Sequence, residues 1–160
     1  MSYKIPVIFT CFILASLWPG PRIAGCLSKA FGSAYAPILY GICAAAAIAL
    51  IIIWFRKRPT LWSSTWLVIV FILSGVVSYM MVCANEIIHL VEYAILGYLF
   101  AAVPTVGVIW SLVIASGIGI LDEVIQFLLP NRYFELRDVA MNIVSVVVGV
   151  IIYPLLNSRG

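Results

Sequence analysis

Long apolar runs alternate along the chain with short polar segments, and this pattern predicts membrane-spanning helices. A helix needs roughly 20 apolar residues to cross a bilayer. Residues 35–55 and 61–82 are uncharged and long enough. Residues 93–121 are also uncharged but too long for one ordinary span, and the sequence VPTVG at 103–107 offers a turn in the middle. We therefore predict five spans, at residues 35–55, 61–82, 86–103, 106–128 and 139–153.

The first apolar run, residues 5–18, is shorter and ends at the sequence PGP, residues 19–21, which stops a helix. This run forms either a sixth span or an interfacial segment. Lys4 followed by an apolar stretch also resembles a signal peptide, and Cys26 ends a match to a lipoprotein cleavage box. Because Arg22 and two prolines separate this box from the apolar stretch, we expect the segment to be retained as a helix.

The composition excludes a soluble domain. The chain is 65% hydrophobic and 9% charged, whereas a soluble domain has roughly 45–50% apolar and roughly 25% charged residues. Such a chain cannot cover its apolar surface with polar groups in water. We therefore predict a single membrane domain, residues 1–160, folded as an all-α polytopic bundle of about six helices, or five if the first segment is interfacial.

The charges indicate orientation in a membrane, and nothing in them suggests binding to nucleic acid. The net charge is +3, and the basic residues lie mostly in short polar stretches. With six spans, both termini lie on the side that carries the compact cluster Arg56-Lys57-Arg58. The positive-inside rule then places both termini in the cytoplasm. The four cysteines show no metal-binding spacing, and we expect no cofactor.

All six acidic residues lie between Glu86 and Asp138, mostly within three polar clusters. The first cluster lies at the start of the predicted span 86–103, the second lies at the end of the span 106–128, and the third lies at the start of the span 139–153. The clusters comprise Glu86, His89, Glu92 and Tyr93; Asp122, Glu123 and Gln126; and Arg137, Asp138 and Asn142. Successive spans cross the membrane in opposite directions. The start of one span, the end of the next and the start of the last therefore lie at the same membrane face, and the three clusters are predicted to lie there together. Ser145 and Gly149 continue the third cluster as small residues that allow close helix packing.

Glu123 is predicted to lie inside the membrane. It precedes Pro130 by seven residues, which places it about 10 Å below the helix end at about 1.5 Å per residue. An ionised carboxylate facing lipid at such a depth costs on the order of 3 kcal/mol or more. We therefore expect Glu123 to face the bundle, either protonated or paired, and the candidates to pair with it are His89, Arg132 and Arg137.

His89, Glu92 and Glu123 are the candidate catalytic residues. Burial raises the pKa of a glutamate and histidine titrates near neutrality, so the three could do general acid/base work. The same residue types also bind divalent metals. A third interpretation is a polar network that fixes the register of three helices. The sequence leaves these interpretations open.

The loop before the last predicted span is a candidate anion site. Arg132 and Arg137 flank it, and a planar guanidinium suits the phosphate of a lipid headgroup. Equally, Arg132 or Arg137 could pair with Asp122, Asp138 or Glu135 and only close the helix ends. The predicted ligand-binding residues are Asp122, Gln126, Arg132, Arg137, Asp138 and Asn142.

The three clusters resemble the VanZ-like family of small bacterial membrane proteins. The matching pieces are His89-x-x-Glu92-Tyr93, Asp122-Glu123-x-x-Gln126-x-x-x-Pro130-x-Arg132, Arg137-Asp138-x-x-x-Asn142 and Gly149. The resemblance covers residues 86–149, which we take as the VanZ-like core region. It implies a multi-pass protein of the bacterial inner membrane. The namesake of the family is linked to low-level resistance to teicoplanin, a glycopeptide antibiotic that acts on cell-wall precursors.

Two functional hypotheses follow. In the first, the polar clusters form an outward-facing pocket that binds or processes an anionic envelope lipid or a lipid-linked cell-wall precursor, so that membrane lipids are the partners. In the second, the protein is a non-catalytic accessory subunit of a larger membrane complex, and other membrane protein subunits are the partners. The second hypothesis rests on the small size of the chain and on its long helices with few polar residues.

Overall fold

A computed structural model of the chain describes residues 2–17, 19–57, 60–130 and 133–157. This part of the chain is a helical bundle without strands, which confirms the predicted fold class. The helices are α1 (Lys4–Ser16), α2 (Gly20–Phe31), α3 (Tyr35–Arg56), α4 (Leu61–Met80), α5 (Glu86–Ala101), α6 (Gly107–Phe127) and α7 (Leu136–Asn157). A short 3₁₀ turn, Gly32–Ala34, joins α2 to α3.

The boundaries of α3 to α7 lie within four residues of the predicted spans and have local causes. At the start of α4 the Thr60 hydroxyl accepts a hydrogen bond from the Ser63 backbone N–H at 3.2 Å, and the Ser63 hydroxyl accepts one from the Thr60 N–H at 2.9 Å. This reciprocal capping satisfies N–H groups that a helix start leaves open. Between α5 and α6 the backbone turns at Gly107, whose φ of 72° favours glycine.

Helix α2 is the element that the sequence pattern did not predict. Residues 19–21 do separate α1 from the following segment, as expected. However, Pro21 lies in the first turn of α2, where proline is favoured because the N–H that it lacks would have no partner in the helix. The segment 19–21 therefore separates α1 from α2, and Pro21 also favours the start of α2.

Four helical runs in the described residues are long and apolar enough to cross a membrane: Gly20–Arg56, Leu61–Met80, Gly107–Phe127 and Leu136–Asn157. Helix α5 has 16 residues and α1 has 13, fewer than the roughly 20 of an ordinary span. Helix α5 is enclosed by α1, α6 and α7. Its short length is therefore compatible with a place inside a membrane bundle.

Helix α7 is the centre of the bundle, because α3, α4, α5 and α6 all pack against it. The main core combines side chains of α1, α5, α6 and α7, namely Ile13, Tyr93, Leu96, Phe100, Ala115, Val146 and Val150. A second core joins α7 to α3 and α4 through Trp54, Val70, Val148 and Leu155. Since Ile13 is 1% exposed, α1 packs into the bundle.

Helices α5 and α7 cross at two glycines. A Cβ atom on Gly97 would collide with the backbone carbonyl of Val146, and one on Gly149 would collide with the carbonyl of Ala94. Small residues allow helix backbones to approach this closely inside a membrane. The predicted packing role of Gly149 is therefore confirmed.

One end of the bundle collects the starts of α3, α5 and α7 and the ends of α4 and α6. The Tyr35 hydroxyl donates a 2.8 Å hydrogen bond to Asn85 beside the start of α5. The Arg137 guanidinium, at the start of α7, contacts the Met80 carbonyl at 3.4 Å and the Glu86 carboxylate at 3.0 Å. We call this the motif end. The predicted convergence of the polar clusters on one face is confirmed.

The glycine crossing leads to a stability prediction. Gly149→Ala places a methyl group against the Ala94 carbonyl, and we expect it to destabilise the protein by about 1–3 kcal/mol, as overpacking does. The measurement is the midpoint of heat-induced loss of the monodisperse peak in mild detergent. The matched control is Gly117→Ala, where a Cβ meets nothing within 4 Å and alanine favours the helix. Equal midpoints for the two variants would contradict the close crossing.

Candidate functional site

Three polar residues of the last turns of α6 lie inside the bundle. Asp122 is fully buried, and Glu123 and Gln126 are 2% and 5% exposed. The Gln126 amide donates hydrogen bonds to Asp122 at 3.2 Å and to Glu123 at 3.3 Å. The spacing of one turn brings the amide over both carboxylates. The prediction that Glu123 faces the bundle is confirmed.

His89 lies between a buried carboxylate and a more accessible one. Its Nδ1 atom is 3.9 Å from Asp122 Oδ2 and 3.9 Å from Glu92 Oε2. The side chains of His89 and Glu92 are 34% and 18% exposed, whereas that of Asp122 is 0% exposed. The imidazole of α5 therefore lies between the surface of the bundle and the interior acid of α6, beyond direct hydrogen-bond distance of both carboxylates. We refer to His89, Glu92, Asp122, Glu123 and Gln126 as the inner cluster.

Tyr93 and Asn142 adjoin the inner cluster on the side away from the motif end. Tyr93 is fully buried, and its ring is nearly parallel to the His89 ring, with centroids 6.4 Å apart. The Asn142 amide donates to the Gly119 carbonyl at 3.4 Å. A Cβ on Gly119 would lie 3.1 Å from Asn142 Cβ and 3.3 Å from a Tyr93 ring carbon. Gly119 thus makes room for both side chains.

The role of Gly119 was missed in the sequence analysis. A lone glycine in an apolar helix carries no signal until the facing residues are known. Gly119 lies one helical turn before Glu123 on α6, and this spacing is the only feature of the sequence that indicates a role for Gly119.

At the mouth of the site, a single guanidinium contacts three carboxylates. Arg137 Nη2 lies 3.0 Å from Glu86, 3.1 Å from Glu135 and 3.0 Å from Asp138. Glu86 also accepts a 2.8 Å hydrogen bond from the backbone N–H of Val82. These four charged residues, the rim cluster, tie the α4–α5 turn to the start of α7.

The structure brings together most of the predicted site residues, in two layers. His89, Glu92, Asp122, Glu123 and Gln126 lie in the inner cluster with Asn142 below it, and Arg137 and Asp138 lie in the rim cluster. Arg137 makes the ion pairs that close the helix ends, and its carboxylate partners are Glu86, Glu135 and Asp138. Arg132 lies outside the described residues.

The inner cluster does not form a metal site in the described part of the chain. No group of three histidine, cysteine, aspartate or glutamate side chains there is arranged to hold a metal ion.

The comparison with protein families agrees with this arrangement. A family model described as VanZ/LLP1 matches residues 38–157. The chain belongs to the VanZ/LLP1 family. The match includes most of α3 and all of α4, so it extends beyond the core region of residues 86–149 on which the resemblance rested. A search of curated proteins and a search of solved structures each gave no significant match.

The rim cluster yields a prediction that a double-mutant cycle can check. Arg137→Gln should destabilise the protein because Glu86, of which 13% is exposed, loses its cation. Glu86→Gln in the same chain should restore part of the loss, with a coupling energy of about 1–3 kcal/mol for a partly buried pair.

The readout is unfolding in mixed micelles of increasing SDS content. The pair Arg137 and Glu135 is the matched control, because Glu135 is 51% exposed and its coupling should be under about 1 kcal/mol. A coupling with Glu86 no larger than that with Glu135 would show that the rim cluster does not join the two helices energetically.

Proposed function

We propose that this VanZ/LLP1 protein binds an anionic envelope lipid or a lipid-linked cell-wall precursor at the motif end, and that His89, Glu92 and Glu123 exchange protons with it. The observation that carries the proposal is the position of His89 between the accessible Glu92 and the buried Asp122. An imidazole near neutral pH can accept a proton from one side and donate it to the other.

Placing the ionisable side chains of the inner cluster inside a membrane costs free energy, and helix packing alone would not require them. Ionisable groups inside a membrane are rare and expensive, and they are functional candidates by default. The inner cluster brings three carboxylates and the one histidine of the chain together within the bundle. An apolar set of side chains of similar volume would join α5 to α6 without that cost.

The rim cluster suggests how the anion is held. Glu135 lies in the loop before α7, is half-exposed, and shares Arg137 with Glu86 and Asp138. A lipid phosphate offers the same oxygen geometry to a guanidinium. In this proposal the phosphate replaces Glu135 as a partner of Arg137, and Arg132 supplies a second cation. Tyr133 and Phe134, both exposed, border the acyl chains.

The proposal includes an orientation in the bacterial inner membrane, with the termini in the cytoplasm and the motif end outward. The cluster of basic residues at the end of α3 supports it, because α3 starts at the motif end and its 22 residues end at Arg56, next to Lys57. Under the positive-inside rule, basic residues in a short loop face the cytoplasm.

Labelling of Cys83 tests this orientation. Cys83 lies in the exposed α4–α5 turn at the motif end. In a variant whose other cysteines are serine, a membrane-impermeant maleimide should label Cys83 in spheroplasts. The control is Lys57→Cys in a cysteine-free chain, which should react only after permeabilisation. The reverse pattern would contradict the orientation.

The same experiment has a pH dependence. Partial desolvation raises the pKa of the Cys83 thiol, and the neighbouring Glu86 carboxylate raises it further. A raised pKa leaves less thiolate near neutrality. Labelling of Cys83 should therefore need a more alkaline pH than labelling of the Lys57→Cys control in permeabilised membranes.

Native mass spectrometry of the protein, extracted gently from its own membrane, tests lipid binding. We expect a single chain with one bound anionic lipid, and loss of that lipid in Arg132→Ala because a phosphate contact disappears. The matched control Lys57→Ala, which removes a cation outside the proposed site, should keep it. A chain without lipid, or a lipid that survives in Arg132→Ala, would contradict the proposed site.

Proton exchange is tested by growth on teicoplanin and by envelope lipid composition, with His89→Asn and Glu123→Gln compared with Asn157→Ala. Asn157 is a polar residue at the other end of α7. The first two variants should change these phenotypes and the third should not. If folded His89→Asn and Glu123→Gln behave like the wild type, the acid/base role is wrong.

The alternative proposal is an accessory subunit of a larger membrane complex. The exposed apolar faces of α3 and α4 favour it, since few of their residues are buried within the chain. In this case the mass spectrum would show other polypeptides at fixed stoichiometry, and the isolated chain would be unstable. A stable lone chain in mild detergent would count against this alternative.

A further inference from the structure

Helix α2 is strongly amphipathic. Its basic residues, Arg22 and Lys29, lie seven positions apart and therefore on the same side of the helix. Ile23, Leu27 and Phe31 follow one another at intervals of four and form an apolar stripe on the other side. The sequence of α2 contains no acidic residue.

Breaks at both ends separate α2 from its neighbours. Pro19 and Pro21 precede or open the helix, and Gly32 ends it with φ 52° and ψ −129°, a conformation outside the helical region. With 12 residues, α2 is about 18 Å long. It is too short to cross a membrane.

The motif end fixes where α2 lies along the bundle. One 3₁₀ turn, Gly32–Ala34, connects α2 to Tyr35, and the Tyr35 hydroxyl is bonded to Asn85 at the start of α5. Helix α2 is therefore at the same end of the bundle as the rim cluster and the inner cluster.

The apolar stripe of α2 is not covered by the rest of the described chain. Ile23, Leu27 and Phe31 are 57%, 43% and 51% exposed, and Ala24 is the buried residue of the helix. Lys29 is exposed beside Ser28 on the polar side. An exposed apolar stripe next to cations is typical of helices that lie in the headgroup region of a membrane.

We propose that α2 is a docking surface for anionic phospholipid in the leaflet at the motif end. Ile23, Leu27 and Phe31 enter the boundary between headgroups and acyl chains, and Lys29 and Arg22 face the phosphates. Charge complementarity decides the occupant, because α2 itself has two basic residues and no acidic residue, and a basic helix favours an anionic leaflet over a neutral one. This inference goes beyond the proposed function, since it requires no lipid in the pocket.

The first test measures how deep α2 lies in the membrane. Full-length protein with a single cysteine at 23, 25, 27 or 28 is spin-labelled in vesicles that contain phosphatidylglycerol. Labels at 23 and 27 should be accessible to oxygen in the membrane, and labels at 25 and 28 to a water-soluble nickel complex. Labels at 23 and 27 that are shielded from both reagents would overturn the proposal and indicate a protein partner or a second copy.

The second test measures the preference for anionic lipid. A fluorophore on Cys26, an exposed residue of α2, reports quenching by nitroxide-labelled phosphatidylglycerol relative to nitroxide-labelled phosphatidylcholine. The ratio should exceed one and should fall toward one in Arg22→Gln/Lys29→Gln, by up to about fivefold for each cation removed. Arg56→Gln/Lys57→Gln, the same charge change at the other end of α3, should leave the ratio unchanged.

A ratio of one in the wild type, or an equal fall in both double variants, would overturn the proposal. Arg132→Ala separates this proposal from the proposed pocket, because it should leave the ratio at Cys26 unchanged even where it removes the pocket lipid. Lipid binding in the pocket can thus be disproved while membrane docking by α2 is supported, and the reverse outcome is equally distinguishable.

Discussion

The structure depends on the enclosure of carboxylates inside a membrane protein. Asp122 and Glu123 lie near the end of α6, a helix that is otherwise apolar, and a charged side chain that faces lipid costs several kcal/mol. The bundle avoids this cost by surrounding both residues with α5, α6 and α7 and by supplying Gln126 and His89 as neighbours. The position of α5 follows from this requirement, although its own length is less than that of an ordinary span.

Close packing of α5 on α7 holds the site in place. Gly97 and Gly149 let the two backbones touch, and this contact fixes His89 on α5 relative to Asn142 on α7. The rim cluster fixes the same two helices at their starts through Arg137 and Glu86. These two contacts therefore fix α5, and with it His89, relative to α7.

Much of this arrangement could be predicted from the sequence, because it follows from the direction of successive spans. His89 lies near the start of one helix, Glu123 near the end of the next, and Arg137 near the start of the last. Because successive helices run in opposite directions, these residues lie on one face. Two partners of Arg137, Glu135 and Asp138, were among the carboxylates predicted from the sequence. The third, Glu86, could not be predicted, since it is 51 positions away. Helix α2 was missed because a proline can end one helix and also start another. Membership of the VanZ/LLP1 family identifies the scaffold without stating its chemistry.

The position of His89 is the central claim, and solid-state NMR can measure it directly. The chain has one histidine and two aspartates, so labelling with ¹⁵N-histidine and ¹³C-aspartate in an Asp138→Asn variant isolates the pair His89 and Asp122. We expect measurable ¹⁵N–¹³C dipolar dephasing at long mixing times, in line with the 3.9 Å between Nδ1 and the carboxylate oxygen. Absence of dephasing would place His89 away from Asp122 and contradict the proton path on which the proposed function rests.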